Sequence, residues 1–566
     1  MGKIRIRLNR TWLVFFLPMV MMCGQCKNRQ SQEQSEVFTD EPAVQTERPN
    51  ILLAIADDMS WLHTSFTGFK GISTPNIDYI AQNGVWFNNA YCSAPSCTAS
   101  RGALLTGRNG WELEEGACLW SILPPKFRTY PELLEEAGYY VGFTGKGWGP
   151  GDIQDAGRQV NPAGEGYNRI TETPFKNLGK DIPMSAIDYA ANFEDFLENK
   201  PEGQPFCFWF GCFEPHRAYL KGIGQIMGKN PEDVEVPGFL PDVPEVRNDI
   251  LDYLVEVEWY DTHLGRMIDL LRRTGEMDNT VIVVTSDNGM PFPRAKANLY
   301  EYGTRMPLAV FYKKMIPGGR IVEDLVSLTD LAPTFLDMAR LPVPEEMSGK
   351  SLVEILNSNL QGQVDPERNR VFTFRERHAW VNESGGIYPM RAMRKDHFLI
   401  IWNLKPEMYP AGDRNPAVNF NCYPYGDVDN SPTKDFILSL QKNENMHLYY
   451  RMAWEKRPEY ELYDLTNDPY QMNNLAGSED HREVLDLMKQ ELRDYLVSRK
   501  DLRMSGEESV YRNAPYYSMK GLESGGLFLK NWESLDGEHK KSAVERERKK
   551  LDENIEALKK IGWTYR

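Results

Sequence analysis

The stretch Asn50-Ile51-Leu52-Leu53-Ala54-Ile55-Ala56, which continues directly into Asp57 and Asp58, is the strongest indicator of the fold. An apolar run of this length followed by polar residues is typical of a strand buried in a parallel sheet. Three further runs share this character: residues 139–144 (YYVGFT), 206–211 (FCFWFG) and 280–285 (TVIVVT). Helix-like stretches alternate with these runs, at residues 75–83, 129–137, 184–198 and 248–274. The alternation predicts an α/β layer fold with a parallel sheet.

Composition and net charge indicate which classes of binding partner to expect. The chain has 566 residues, of which 41% are hydrophobic and 11% aromatic, a composition typical of a globular protein of about two to four domains. Its net charge of −16 argues against nucleic acid or another long polyanion as a general partner. An anionic substrate would therefore bind in a locally basic pocket, which favours a single sugar or a chain end.

The chain is expected to divide into five segments. In chain order they are an export signal (1–26), a flexible tether (27–47), a main domain that carries the chemistry (48–365), a smaller α+β unit (366–500) and an extension with a charged helix (501–566). In the smaller unit, residues 371–374 and 397–402 are predicted strands, and residues 461–477 are predicted to form a strand, a turn and the start of a helix. Residues 538–561 are predicted to be the charged helix, packed or solvated rather than a binding arm.

The first 26 residues have the character of an export signal. Four basic residues precede the apolar stretch 12–22, which is too short to span a bilayer comfortably and ends at Cys23 and Cys26. A cysteine at this place resembles a bacterial lipoprotein processing site, although Met21-Met22 matches its usual small residues poorly, and plain secretion is the alternative. We therefore expect an exported protein, either periplasmic or anchored to a membrane by lipid. The polar residues 27–47 would form a tether.

The cysteine pattern excludes a disulfide framework. The chain has eight cysteines, and the five that remain after Cys23, Cys26 and Cys97 are set aside show no pairing rhythm. One bridge that involves Cys92 or Cys118 stays open as an alternative.

Cys97-Thr98-Ala99-Ser100-Arg101, within AYCSAPSCTASRGALLTGR (90–108), is the segment that indicates function. A thiol four residues before an arginine, among small residues, suits a processed nucleophile, whereas a single such pattern can also be a buried structural cysteine. The segment resembles the sulfatase signature C-x-[P/A]-x-R, in which the cysteine is oxidised after synthesis to formylglycine. The resemblance spans residues 48–480. It implies an alkaline-phosphatase-like fold, with a large mixed sheet flanked by helices and a smaller C-terminal α+β domain.

Acidic residues at strand ends predict a cation site. Asp57-Asp58 and Asp287-Asn288 each follow a predicted strand, and the carboxyl ends of parallel strands meet at one edge of a sheet. Oxygen ligands suit Ca²⁺ or Mg²⁺, and there is no compact His/Cys cluster for zinc. An Asp-Asp pair alone is more often a cap or a turn. The resemblance implies that these four residues and modified Cys97 bind calcium, with magnesium as the alternative.

The sulfatase resemblance also implies the chemistry. One hydroxyl of the formylglycine hydrate would attack sulfur to give a sulfo-enzyme intermediate, and the other would expel sulfate. Serine or unmodified cysteine cannot form that geminal diol, so a formylglycine-generating enzyme would be a required partner. Arg101, Lys146 and Lys296 resemble the family's basic residues around sulfate, and His216 resembles its proton donor to the leaving group.

One position departs from the family pattern. Many sulfatases have a histidine two residues after the lysine equivalent to Lys146, where this chain has Trp148. Trp148 could wall the pocket or stack on a sugar, and His63 or His378 could supply the missing group. Glu214 and Arg217, which flank His216, are expected to orient sugar hydroxyls or a neighbouring uronate, and His378 is expected to reach the pocket from the smaller domain.

Four segments resemble the N-sulfoglucosamine sulfohydrolase branch of the family, the heparan N-sulfatases. They are residues 214–217 (EPHR), 284–293 (VTSDNGMPFP), 388–404 and 457–469. This resemblance implies a sulfated glycosaminoglycan substrate, namely the terminal N-sulfated glucosamine of heparan or heparin fragments. Two alternatives stay open: an O-sulfatase acting on glucosamine 6-sulfate or another glycan, and a non-catalytic lipoprotein that binds sulfated glycans. A phosphohydrolase of the same superfamily is disfavoured, because it would use an unmodified hydroxyl and two metals.

Overall fold

The apolar run 50–56 forms the strand β1 inside a large mixed sheet. The computed structural model describes residues 48–179, 181–382, 387–419, 421–517 and 537–564. The predicted export signal, Cys23, Cys26 and the tether lie outside these residues. The strands are β1 Asn50–Ala56, β2 Val85–Tyr91, β3 Tyr140–Gly145, β4 Glu165–Gly166, β5 Phe206–Gly211, β6 Thr280–Ser286, β7 Arg305–Met306, β8 Leu308–Phe311, β9 Arg320–Ser327, β10 Arg370–Arg377, β11 Ile387–Lys395, β12 Phe398–Asn403 and β13 Tyr460–Asp464.

Helices cover the sheet and fill the connections between strands. The α-helices are α1 Pro75–Asn83, α2 Cys97–Thr106, α3 Tyr130–Glu136, α4 Tyr189–Asn199, α5 Ile223–Ile226, α6 Pro244–Thr274, α7 Glu301–Thr304, α8 Leu331–Met338, α9 Val353–Asn357, α10 Pro432–Ser439, α11 His447–Trp454, α12 Arg482–Ser498, α13 Leu502–Ser505, α14 Ser509–Asn513 and α15 Gly537–Lys560. A 3₁₀ segment, Gly110–Ala117, follows α2.

The centre of the large sheet is parallel, as the apolar runs predict. Its strand order is β4-β3-β5-β1-β6-β8-β2-β7, with β9 beside β2. Strands β3, β5, β1 and β6 run parallel to one another, and β8 runs antiparallel to β6. Alternate residues of β1 enter two different cores: Leu52 and Ala54 pack on the side of α4 and α6, and Ile51 and Leu53 on the side of α2 and α8. Both faces are therefore covered, which explains the continuous apolar sequence. The predicted fold class is confirmed.

The predicted helices are present, with two wrong N-terminal ends. Helix α1 has the predicted bounds. Helix α4 begins at Tyr189, five residues later than predicted, because the Asp188 side chain accepts a hydrogen bond from Ala191 and caps the helix there. Helix α6 begins at Pro244, four residues earlier than predicted, with its proline in the first turn, where no backbone donor is needed.

A second, antiparallel sheet of order β10-β11-β12-β13 forms the smaller part of the described residues. The predicted strands at 371–374 and 397–402 lie in β10 and β12. The helix start predicted before residue 477 is wrong. After β13, the Asp468 carboxylate accepts backbone hydrogen bonds from Met472 at 2.9 Å and Asn473 at 2.7 Å. This local alternative competes with helix formation, and α12 begins only at Arg482.

The structure also bears on the predicted domain boundary, the C-terminal helix and the cysteines. The described residues from Arg48 onward form one compact unit, so the boundary near residue 365 stays a prediction. The predicted charged helix is present as α15, and Leu558 and Trp563 near its end are buried. Cys92 and Cys118 are free buried thiols, so the bridge considered for them is not formed. Among the described residues, the search for a membrane-spanning helix finds none of sufficient length and apolar character.

The close contact between β5 and the end of β3 generates a stability prediction. A Cβ atom on Gly211 would lie 1.9 Å from the carbonyl oxygen of Lys146, whereas a Cβ on Gly477 would meet open space. We expect Gly211→Ala to lower the free energy of unfolding by at least about 1–3 kcal/mol, because the backbone at Lys146 must move. Urea denaturation measures the change, with Gly477→Ala as the matched control. Equal stability of the two variants would contradict this packing.

Candidate active site

Four strands deliver polar residues to one edge of the large sheet. Ala56 of β1 is in register with Ser286 of β6, which sets Asp57 beside Asp287 at the carboxyl ends of the two strands. The backbone continues this alignment, because Asp287 N donates to Ala56 O at 3.1 Å. On the other side, Lys146 N donates to Gly211 O at 2.7 Å and so brings the end of β3 to the same edge. This placement is the one that parallel strand ends predict.

Asp58 adopts a conformation that costs free energy. Its φ angle is 78°, in the left-handed region that residues other than glycine rarely occupy. Its backbone N–H donates to Asp287 Oδ1 at 3.2 Å, and its carboxylate accepts from Lys296 Nζ at 2.6 Å. Such strain is retained where the surrounding contacts determine the geometry, as at active sites.

Cys97 is the first residue of α2 and lies among these carboxylates. Its Sγ is 3.3 Å from Asp57 Oδ1 and 4.0 Å from Asp58 Oδ1, and Asn288 Nδ2 lies 3.6 Å from it. All ten residues of α2 are buried, which the small residues of its first half permit. The helix N-terminus carries a partial positive charge that favours negative charge at this end.

Each carboxylate of the cluster is paired with one cation. Arg101 Nε donates to Asp287 Oδ2 at 2.7 Å, and Lys146 Nζ donates to Asp57 Oδ2. The third pair is the one between Lys296 and Asp58. Because isolated buried charges are very costly, these pairs are what allow the carboxylates to share one buried volume.

The pairs do not remove the free-energy cost of burying ionised carboxylates. Burial raises the pKa of Asp58 to about 7 although Lys296 lowers it, and burial together with Asp57 raises the pKa of Asp287 to about 6. Burial also tends to raise the pKa of Asp57. The positive charges of Lys146 and Arg101 outweigh this effect and hold the pKa of Asp57 below its usual range. Burial and the negative charge of Asp57 also raise the pKa of the Cys97 thiol. A divalent cation would lower this cost of burial.

The donor set fits a hard cation. Asp57, Asp58, Asp287 and Cys97 each place one ligand atom within 4.8 Å of the others. Asn288 Oδ1 is buried and has no hydrogen-bond partner among the described residues, although buried polar atoms are nearly always satisfied. Carboxylate and amide oxygens are the ligands of Ca²⁺ and Mg²⁺. The five residues predicted to bind the cation are therefore together, and the identity of the ion stays a prediction.

His216 stands at the mouth of the cluster. Its side chain is 36% exposed, and its Nε2 lies 3.9 Å from Asp58 Oδ2. Nδ1 is 2.7 Å from the carbonyl oxygen of Arg217, so Nδ1 carries a hydrogen and Nε2 is the atom that exchanges a proton. Burial and the nearby Lys296 lower the pKa of His216. The position next to the basic residues suits the predicted proton donor.

The side chains of three predicted sugar contacts are buried or paired within the protein. Trp148 is 4% exposed and packs in the core beneath α2, so its ring presents no face to a sugar. Glu214 is buried, and its carboxylate accepts from Tyr189 Oη and Ser185 N at 2.8 Å each. Arg217 forms a bidentate pair with Asp249 at 2.7 and 2.8 Å. These polar groups are engaged within the protein, and their predicted contacts with substrate stay untested.

Of the two histidines considered for the vacant family position, His378 lies beside the predicted nucleophile. Its Nδ1 is 3.0 Å from Ser96 Oγ, one residue before Cys97. His63 instead lies against Phe69 and Tyr253, and burial lowers its pKa to about 3. The geometry therefore favours His378 over His63.

Sequence reasoning missed Asp429. Its Oδ2 lies 3.5 Å from Lys296 Nζ, and its carboxylate forms a close group with Asp58 and His216. Asp429 lies in the loop before α10, in the C-terminal part of the chain. The only signal was an acidic pair, Asp427 and Asp429, within a loop, and functional residues are often found on loops.

Comparisons with known proteins agree with this geometry. The sulfatase family model matches residues 49–341, and the model for the C-terminal part of N-sulphoglucosamine sulphohydrolase matches residues 294–410. Human N-sulphoglucosamine sulphohydrolase is 30% identical over 473 residues, which cover 78% of this chain and 89% of that protein. An N-acetylglucosamine-6-O-sulfatase from Bacteroides thetaiotaomicron is 24% identical over 568 residues, which cover 83% and 89%.

The fold is shared with solved structures. One of them, a complex with its substrate D-glucosamine-2-N,6-O-disulfate, has a TM-score of 0.56 at 21% identity and covers 80% of this chain and 99% of that one. At this identity the likeness shows the fold alone. It confirms the expected large mixed sheet with a smaller C-terminal sheet.

The buried amide oxygen generates a metal-binding prediction. At a calcium concentration about 100-fold above Kd, we expect the free energy of unfolding to rise by about 2.7 kcal/mol. Asn288→Ala should shrink this rise at the same calcium concentration, because it removes the unpartnered Oδ1 without changing the charge. Thermal unfolding with calcium, with magnesium and with a chelator measures the effect. Glu172→Gln, in a separate acidic group with Asp188 and His263, is the control and should keep the full rise.

No shift with either ion in the wild-type protein would contradict the cation site. An undiminished shift in Asn288→Ala would contradict the assignment of this ligand.

Proposed function

Because the chain belongs to the sulfatase family of hydrolases, we propose that it hydrolyses the N-sulfate of terminal N-sulfoglucosamine in heparan or heparin fragments. The observation that carries the proposal is the match of residues 294–410 to the C-terminal model of N-sulphoglucosamine sulphohydrolase. This match begins beside Lys296 and includes His378, so it covers residues of the site as well as β10, β11 and β12 of the second sheet. The 30% identity to the human enzyme of that name supports the same substrate.

Residue 97 would act as formylglycine and the carboxylate cluster would hold calcium; together they supply a hydrated aldehyde as the nucleophile and positive charge at the sulfate oxygens. Cys97 is buried among the predicted ligands, with Sγ 3.3 Å from Asp57 Oδ1, which is the placement such a nucleophile requires. As a consequence, a formylglycine-generating enzyme is a proposed partner in maturation.

The chain's own cations and histidine complete the reaction. Arg101, Lys146 and Lys296 are fixed by their carboxylate partners and stabilise the negative charge that the sulfate group carries in the transition state. As the N–S bond breaks, the nitrogen keeps the electron pair and takes a proton from His216 Nε2. The products are the free amine and sulfate.

An O-sulfatase is the second candidate. The Bacteroides thetaiotaomicron relative is named for 6-O-sulfate on N-acetylglucosamine and covers a similar share of this chain, at 24% identity. The same cluster would cleave an O–S bond by the same route, so the two functions differ only in the groups that contact the sugar. The third candidate, a protein that binds sulfated glycan without turnover, would need no buried nucleophile.

We further propose export of the protein to the periplasm or its anchoring to a membrane by lipid. The proposal rests on the basic and apolar character of the first 22 residues and on Cys23. Both locations would give the site access to glycan fragments outside the cytoplasm.

The activity generates a direct test. Protein produced together with a formylglycine-generating enzyme should release sulfate from N-sulfoglucosamine faster than from glucosamine 6-sulfate. Cys97→Ser should lower multiple-turnover kcat by at least about 10³-fold, because serine forms no geminal diol. Cys118→Ser, a matched change at another buried thiol, should keep the activity. Ion chromatography of released sulfate measures all three proteins.

If only the 6-sulfate is released, the N-sulfatase proposal is wrong and the protein is an O-sulfatase. If correctly matured protein binds both sugars but releases no sulfate, the non-catalytic glycan-binding function is the correct one.

A further inference from the structure

Asp429 occupies a place in the site that the general sulfatase chemistry does not use. Its carboxylate is 34% exposed, pairs with Lys296 Nζ at 3.5 Å, and lies in one group with Asp58 and His216. Lys296 Nζ is thus shared between Asp58 on the side of the nucleophile and Asp429 on the side of the solvent. Since His216 is the proposed proton donor to the leaving atom, we place this atom near Asp429, whose carboxylate lies within 4.8 Å of His216.

The loop that carries Asp429 is held rigidly on both sides. Buried Lys434 donates from Nζ to Tyr425 O at 3.1 Å, to Val428 O at 2.7 Å and to Asn430 Oδ1 at 3.1 Å. A lysine ammonium has three donors, so all of them are used on this loop.

A second anchor lies two residues before Asp429. The Asp427 carboxylate pairs with Arg375 of β10 and accepts from Ala379 N at 2.8 Å. All three groups of this anchor are buried. A carboxylate fixed in this way is preorganised for binding a ligand, because its side chain loses little conformational entropy when the ligand binds.

We propose that Asp429 determines specificity for N-sulfate by accepting a hydrogen bond from the N–H of the substrate's sulfamate group. The inference rests on the proposed function and concerns the same site. A sulfamate nitrogen carries a hydrogen, whereas the bridging oxygen of a sulfate ester carries only lone pairs. An ionised carboxylate has acceptors and no donor. It therefore stabilises the nitrogen substrate and repels the oxygen substrate at the same position.

The alternative role for Asp429 is to hold Lys296 in place. Removal of the carboxylate would then affect N- and O-linked sulfate equally, because Lys296 contacts the sulfate group that both share. The two roles therefore differ in the ratio of activities on two matched substrates.

The experiment compares N-sulfoglucosamine with glucose 2-sulfate, which differs at the leaving atom alone. Asp429→Ala should lower kcat/KM for the sulfamate by about 10- to 100-fold, because it removes one hydrogen bond to a charged group. The kcat/KM for the sulfate ester should stay unchanged or rise. Asp429→Asn, which preserves size, should change the ratio in the same direction. Asp435→Asn is the control: its carboxylate contacts Tyr423 Oη at 2.7 Å, and both activities should persist.

Inhibition by products is the second readout. Asp429→Ala should weaken competitive inhibition by glucosamine about 10-fold and leave inhibition by glucose unchanged. Where the wild-type protein does not turn over glucose 2-sulfate, the inhibition constant of this ester replaces its kcat/KM.

The outcomes separate this inference from the proposed function. Wild-type protein that is inactive on N-sulfoglucosamine overturns both. Wild-type activity together with an equal loss on both substrates, or with no loss, overturns the role of Asp429 alone.

Discussion

Three carboxylates gathered around one side chain are the constraint on which the rest of the structure depends. Asp57, Asp58 and Asp287 are buried next to Cys97, at a distance where their charges repel. A protein cation is hydrogen-bonded to each of them, and burial raises the pKa of Asp58 and of Asp287. A divalent cation would offset this cost of burying ionised carboxylates, as expected of a cation site. A sulfate group would bind where this positive charge and the three basic side chains meet.

The two sheets contribute different parts of the site. The large sheet positions Cys97, the predicted ligands and the basic residues through its strand ends and α2. The C-terminal part supplies His378, which lies beside Ser96, and Asp429, which pairs with Lys296. Arg375, at β10 of the second sheet, anchors the Asp429 loop through Asp427. The two parts of the proposed site are thus built on separate elements that pack into one unit.

Much of the fold and of the central cluster could be predicted from the sequence. The bounds of β1 and β5 follow from apolar runs that end at polar residues, and parallel pairing then brings Asp57 and Asp287 together. The apolar pattern misplaces the starts of α4 and α6, because the cap at Asp188 and a first-turn proline, rather than the apolar residues, set these ends. Asp429 was missed because it lies in an irregular loop. Lys434, which has no motif around it, and Arg375, which is distant in sequence, hold this loop in place. The burial of Trp148 depends on packing beneath α2, which a motif does not contain.

Peptide mass spectrometry of residues 71–101 tests the central claim most directly. This tryptic peptide contains both Cys92 and Cys97, so one alkylated thiol serves as an internal control for the other position. In active protein produced with a formylglycine-generating enzyme, the account predicts an alkylated Cys92 and an aldehyde that reacts with a hydrazide at position 97. Two alkylated thiols in protein that still releases sulfate over many turnovers would contradict it.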